Sequence, residues 1–167
     1  MNKFFTISLL ALFVLGFDIR TSAYFEDGNK APDFQLSTLD GEIIRLSDYL
    51  GKIIIVDFWA TWCGPCRMAI PELVELQTEH EDELVIIGIS LDQPYTQRNL
   101  KQFIDQYGIN YPIVLGTMEV VQAYGNIRGI PTSFIIDRDG DVVDKFTGYV
   151  PKSHYTTVID PLLSSSE

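Results

Sequence analysis

The sequence predicts an α/β protein in which a mixed central sheet carries helices on both faces. Three observations predict it. The runs Ile53 to Phe58 and Leu84 to Leu91 are almost continuously apolar and rich in β-branched residues, the pattern of strands buried on both sides. Segments with apolar residues at helical spacing lie between the extended runs, and that order implies right-handed crossovers. Turn signals, Asp40-Gly41 and Asp137-Arg138-Asp139-Gly140, punctuate the pattern near each end.

Each element follows in order. Phe34 to Leu36 and Ile43 to Leu46 flank Asp40-Gly41 and form a short entrance hairpin. After the buried run Ile53 to Phe58, a helix from about Pro65 to His80 sets Ala69, Leu73 and Leu76 against Glu72, Glu75 and Glu79 on the opposite side. Pro71 inside it deletes one backbone hydrogen bond, an architectural bend with no chemistry of its own. Leu84 to Leu91 is the second buried strand, Thr96 to Tyr107 a second amphipathic helix and Pro112 to Leu115 a third, short strand. Met118 to Tyr124 is a short helix, Ser133 to Ile136 and Val142 to Phe146 are strands around the second turn, and His154 to Leu163 closes with a helix. His80 and His154 read as surface or helix-end residues.

The 167 residues hold 46% hydrophobic, 12% aromatic and 21% charged side chains, which excludes disordered and collagen-like chains. The net charge of −11 repels phosphate backbones and anionic lipid surfaces, so nucleic acid is not a partner. Residues 1–23 read as a secretory signal: Lys3, a 14-residue apolar run from Phe4 to Phe17, then small residues at Thr21-Ser22-Ala23. A membrane span needs about 20 apolar residues, so an uncleaved signal anchor is the alternative, and the chain would touch a membrane only through it. No cysteine follows the run to take a lipid. From Pro32 on no linker, charge block or repeat divides the chain, so residues 24–167 form one domain; cleaved after Ala23, it keeps 10 basic and 22 acidic side chains, net −12. The expected location is the periplasm or another extracytoplasmic compartment, at the inner membrane if the anchor remains.

The only two cysteines stand three positions apart in Cys63-Gly64-Pro65-Cys66, where a buried strand gives way to a helix. Unpaired N–H groups and the macrodipole at a helix N-terminus favour a thiolate over a thiol, and in such C-x-x-C sites the first pKa falls from about 8.5 to roughly 3.5–7.5. Cys63 is then the nucleophile, and Cys66, one turn later, can resolve a mixed disulfide from within. Gly64 lets a substrate backbone come close, Pro65 has the φ of a first helical turn, and Trp62 offers a flat apolar rim. Other readings compete. A structural disulfide closing so small a loop restrains the unfolded chain little. A zinc site lacks two further ligands at usable spacing, and two thiolates alone make a weak case for copper. No metal and no cofactor beyond the redox-active pair is expected. Asp57, inside the run Ile53 to Phe58, is costly to bury charged, so its pKa should rise and it can exchange a proton with Cys66.

The run Val56-Asp57-Phe58-Trp59-Ala60-Thr61-Trp62-Cys63-Gly64-Pro65-Cys66, then Pro71 and Arg128-Gly129-Ile130-Pro131-Thr132, resembles the thioredoxin superfamily. The leader, Ala31-Pro32-Asp33-Phe34 and the extra helix and strand between Asp92 and Leu115 resemble its exported branch, the TlpA and ResA type thiol-disulfide oxidoreductases. The resemblance spans about Pro32 to Leu163 and implies a thioredoxin-like fold with an N-terminal hairpin and an αβ insertion. It implies a cis bond before Pro131, with Pro131 facing the cysteines and the Ile130 backbone pairing with an extended substrate. It gives Asp57 the part of proton relay, although the lysine thioredoxins usually carry nearby is missing from Ile87-Gly88-Ile89. Asp92 falls roughly where that branch has an acidic residue, and also reads as an ordinary end-of-strand polar residue. The resemblance further implies a protein disulfide as substrate, a membrane-embedded thiol donor, and cytochrome c maturation as a use. Cys-Gly-Pro-Cys resembles the reducing end of the superfamily, near −270 mV in thioredoxin against about −120 mV in a strong oxidant. Two alternatives remain. A peroxiredoxin-like thiol peroxidase shares the entrance hairpin but needs Pro and Thr where this chain has Val56 and Ala60. A non-catalytic binding or metal-delivery module would use the fold only as a docking platform.

Overall fold

The computed structural model describes residues 29–164; the expected leader, residues 1–23, lies outside the described residues. The hairpin forms as expected, β1 (Gln35–Ser37) antiparallel to β2 (Ile43–Arg45), with Leu36 opposite Ile44 and both side chains buried. A 3₁₀ turn, Leu46–Tyr49, leads into β3 (Ile53–Trp59), which is buried at all seven positions. After it come α1 (Gly64–Glu79), β4 (Leu84–Ser90), the one-turn α2 (Pro94–Gln97), α3 (Leu100–Tyr107) and β5 (Ile113–Leu115). The last elements are α4 (Met118–Ala123), β6 (Thr132–Ile136), β7 (Val142–Thr147) and α5 (Lys152–Ser164).

The five-stranded sheet runs β5-β4-β3-β6-β7, with β4 parallel to both β3 and β5, and β6 antiparallel to both β3 and β7. Because side chains alternate along a strand, β3 feeds two cores. Ile53, Ile55 and Trp59 pack with α1, α3 and α5, among them Leu73, Leu76, Leu100, Phe103 and Ile159. Ile54, Val56 and Phe58 pack with α4 and the hairpin, where Phe58, Tyr124 and Phe134 form an aromatic cluster, two of its three ring pairs edge-to-face, with centroids 5.0–6.0 Å apart.

Strand β5 covers β4 only from Gly88 to Ser90. Along the uncovered stretch the buried Gln77 of α1 takes the place of a strand, donating to the Leu84 carbonyl (3.0 Å) and accepting from the Ile86 N–H (2.8 Å). That satisfies two buried backbone groups that would otherwise cost about 1–3 kcal/mol each.

Two expectations need correction. The helix read from Thr96 to Tyr107 is two pieces, α2 and α3, broken at Arg98-Asn99, where Asn99 sits at φ −99°, ψ −2°. Apolar spacing supports only the second piece, through Leu100, Phe103, Ile104 and Tyr107; α2 buries no residue and begins on Pro94. Helix α5 begins at Lys152 rather than His154, because Glu72 of α1 accepts the Lys152 N–H while Lys152 Nζ reaches Glu75 (2.7 Å) and Glu79 (2.8 Å). Leu73 is fully buried between α1 and the sheet. Its truncation, Leu73→Ala, should cost about 2–5 kcal/mol in urea unfolding with the disulfide intact; a loss below about 1 kcal/mol would contradict this packing.

Candidate active site

Strand β3 ends at Trp59, and a tight turn in which Cys63 N–H donates to the Ala60 carbonyl (3.1 Å) delivers the chain to α1. Cys63 is the N-cap of that 16-residue helix, and its Sγ accepts from the Cys66 N–H at 3.2 Å. An orphan donor of the first turn, the Cys66 N–H, therefore points at sulfur, the arrangement that stabilises negative charge there. Cys63 and Cys66 are joined as a disulfide. Cys63 is 5% exposed and Cys66 1%, so the first is the more accessible of two largely buried residues.

Trp62 stands 59% exposed, and a Cβ at Gly64 would meet nothing within 4 Å, so that side of the site is open. Pro65 is exposed in the first turn. The Ile130–Pro131 bond is cis, and the Ile130 carbonyl oxygen lies 3.5 Å from Cys63 Sγ. Its partial negative charge faces the sulfur, so it favours a thiol there while the helix terminus favours a thiolate.

What holds the turn is Asp92, just past the end of β4. Its buried carboxylate accepts from Thr61 N–H (2.9 Å), Thr61 Oγ1 (2.6 Å) and Ser90 Oγ (3.0 Å), and Arg67 Nε donates to the Thr61 carbonyl (2.7 Å). Both oxygens of the carboxylate are engaged, and with Arg67 on the carbonyl the two backbone polar groups of Thr61, two residues before Cys63, are both held. The sequence reading missed Thr61 and Ser90; the Ser90-x-Asp92 spacing was the available signal.

Asp57 lies on the face of β3 shared by Ile55 and Trp59, which pack in the same cluster as both cysteines. It is 3% exposed, and Ser133 Oγ of β6 donates to its Oδ1 at 2.7 Å. Burial pushes its pKa up to about 6, and the Ser133 hydrogen bond pulls the other way. Burial, and then the Asp57 charge, also raises the phenols of Tyr155 and Tyr111 above their ordinary range. His80 ends α1, and His154 is exposed with its ring edge-on to Phe146. No group of three or more His, Cys, Asp or Glu side chains with metal-holding geometry occurs among the described residues.

Residues 28–145 match the AhpC/TSA family. The chain belongs to that family. It is 37% identical over 153 residues to the thiol-disulfide oxidoreductase ResA of Geobacillus thermodenitrificans, covering 87% of this chain and 86% of the relative. Against the thioredoxin-like protein YneN of Bacillus subtilis the figures are 33% over 136 residues, 81% and 79%. A crystal structure of a thiol:disulfide interchange protein of the thioredoxin family from Chlorobium tepidum superposes with a TM-score of 0.74 at 34% identity, over 81% of this chain and 97% of that one. The fold is thioredoxin-like, and the chain is a thiol-disulfide oxidoreductase.

Two outcomes test the site's electrostatics. Asp57 holds its proton more tightly folded than unfolded, so its contribution to stability is full below about pH 4 and is lost as pH rises through about 6, amounting to about 3 kcal/mol. Urea unfolding of Asp57→Asn should lack that loss, leaving the variant more stable than the parent at pH 8 and level with it at pH 4; parallel pH curves would contradict the buried carboxyl. Asp92→Asn replaces an accepting oxygen with a donor amide and should cost about 1–3 kcal/mol in the same measurement; an unchanged midpoint would show that the clamp is not needed.

Proposed function

We propose that this protein is an exported reductase of protein disulfides. In the first step the Cys63 thiolate attacks one sulfur of a client disulfide; the other sulfur leaves as a thiolate and takes up a proton. Cys66 then gives its proton to Asp57 and attacks Cys63, closing the Cys63–Cys66 disulfide and releasing the client's second thiol. Two electrons pass from the thiolate–thiol pair to the client, whose two sulfurs take their protons from water, and the Cys66 proton held on Asp57 returns to solvent. Trp62, Gly64 and Pro65 form the open rim on which the client rests, and Ile130 with cis Pro131 seats an extended client segment beside the sulfur. The observation that carries this reading is the asymmetry of the pair: Cys63 caps the helix N-terminus and keeps some exposure, while Cys66, one turn on, is buried to 1%.

Export rests on the leader, and the reducing direction on Cys-Gly-Pro-Cys and kinship with the thiol-disulfide oxidoreductases above. An oxidising compartment holds no reductant of its own, so the donor is a membrane-embedded thiol protein, and the clients are extracytoplasmic proteins, apocytochrome c among them. Val56 and Ala60, where a peroxidase would need Pro and Thr, are both fully buried and apolar, which weighs against peroxide chemistry.

Insulin reduction with dithiothreitol as electron source tests the reading. Cys63→Ser should abolish turnover, and Cys66→Ser should hold clients on Cys63 as mixed disulfides that can be recovered and identified. Unchanged turnover in Cys63→Ser would return the chain to a binding or metal-delivery module. Equilibration with dithiothreitol or glutathione buffers should give a potential near that of thioredoxin; a value above about −150 mV would overturn the reducing direction.

A further inference from the structure

Asp57 is flanked in register by Gly88 on β4 and Ser133 on β6. The two sides supply different chemistry. On the β4 side there is neither a side chain nor room for one: a Cβ at Gly88 would lie 2.5 Å from Ile113 Cδ1, 2.9 Å from Trp59 Nε1 and 3.3 Å from Tyr111 Cε2. A lysine rooted there, as the wider superfamily would suggest, has no place to stand. On the β6 side Ser133 Oγ is 2.7 Å from Asp57 Oδ1 and 2.9 Å from the hydroxyl of Tyr155, and both residues are buried. Serine has one hydroxyl proton. With it donated to the carboxylate, Tyr155 must be the donor to Ser133, so the chain runs Tyr155 to Ser133 to Asp57.

We propose that Ser133 and Tyr155 are positioning residues for the proton step at Cys66: a two-hydroxyl chain that ends on Asp57 in place of a cationic partner. This rests on the reductase reading. When Cys66 gives up its proton, the S–H bond breaks, the electron pair stays on sulfur, and an O–H bond forms on Asp57. The carboxylic acid can then donate to Ser133 Oγ, and Ser133 turns its proton toward the Tyr155 oxygen. The chain reverses, and the hydrogen bonds survive both charge states; a lysine would favour only the ionised one. The titratable groups that interact with Asp57 are Tyr155 from α5 and Tyr111 from the segment before β5, and the cysteine pair lies in the cluster built on the same face of β3. Glu72 of α1 acts on Tyr155 and is itself held by the Tyr149 hydroxyl and the Lys152 N–H.

The test uses the full chain, oxidised so that neither cysteine titrates, with ¹³C-labelled aspartate carboxyls followed by NMR against pH. Ser133→Ala should raise the Asp57 midpoint by about one pH unit, because the hydrogen bond to the carboxylate, about twice as strong as the one to the neutral acid, is the larger loss. Tyr155→Phe keeps the ring, which packs edge-on to Phe146 at 5.4 Å, and should move the midpoint the same way by less. The double variant should match Ser133→Ala alone, since Tyr155 acts through Ser133, and Ser133→Thr, which keeps a hydroxyl, should titrate near the parent. In the reduced protein the acid limb of the pH profile for the resolving step should move with the midpoint. A midpoint that stays in place in Ser133→Ala, or shifts that add in the double variant, would overturn the proposal; variants that only unfold more easily would show a structural role. Retained insulin reduction in Cys63→Ser would sink the functional reading and leave this titration intact, so the two failures can be told apart.

Discussion

Strand β3 has no solvent side. All seven of its residues are buried, so its register against β4 and β6 decides what each side chain meets, and a slip of one position would exchange the two cores. That constraint places Asp57 in the layer under α1 and α5, opposite a glycine on one neighbour and a serine on the other. It also ends the strand where Trp59 anchors against Phe103 and the turn to Cys63 begins. The cysteine turn and Asp57 are both placed by this one strand, and Ser133 of β6 and Tyr155 of α5 meet Asp57 across it.

Two buried aspartates divide the work by how many donors reach them. Asp92 takes three hydrogen bonds from Thr61 and Ser90, so its charge is matched and it serves as a fixed post for the turn before Cys63. Asp57 takes one from Ser133 and is otherwise desolvated, which moves its proton affinity up toward neutrality, where exchange with a thiol is efficient. The same residue type is a clamp in one environment and a carboxyl with raised proton affinity in the other.

Sequence reading did well where the signal was local. The two buried runs, the turn at Asp40-Gly41 and the helix after Cys63 appear where periodicity puts them. It did less well where a neighbour decided the outcome. Asn99 breaks a helix that the spacing carried through, and Glu72 starts α5 two residues early by accepting the Lys152 N–H. Gln77 looked like one more polar position on α1, yet it completes the edge of β4 where β5 is too short to do so.

By itself the sequence determined that two cysteines one turn apart open a helix, and that a carboxylate sits inside a strand buried on both faces, because helical spacing and strand alternation are properties of neighbouring residues. Only the tertiary structure decided what that carboxylate meets. Ser133 and Tyr155 are 76 and 98 positions from Asp57 along the chain, and nothing in their local sequence marks them. They reach it because β6 pairs antiparallel with β3 and α5 folds back over both, and hydrogen bonding requires that closeness in space.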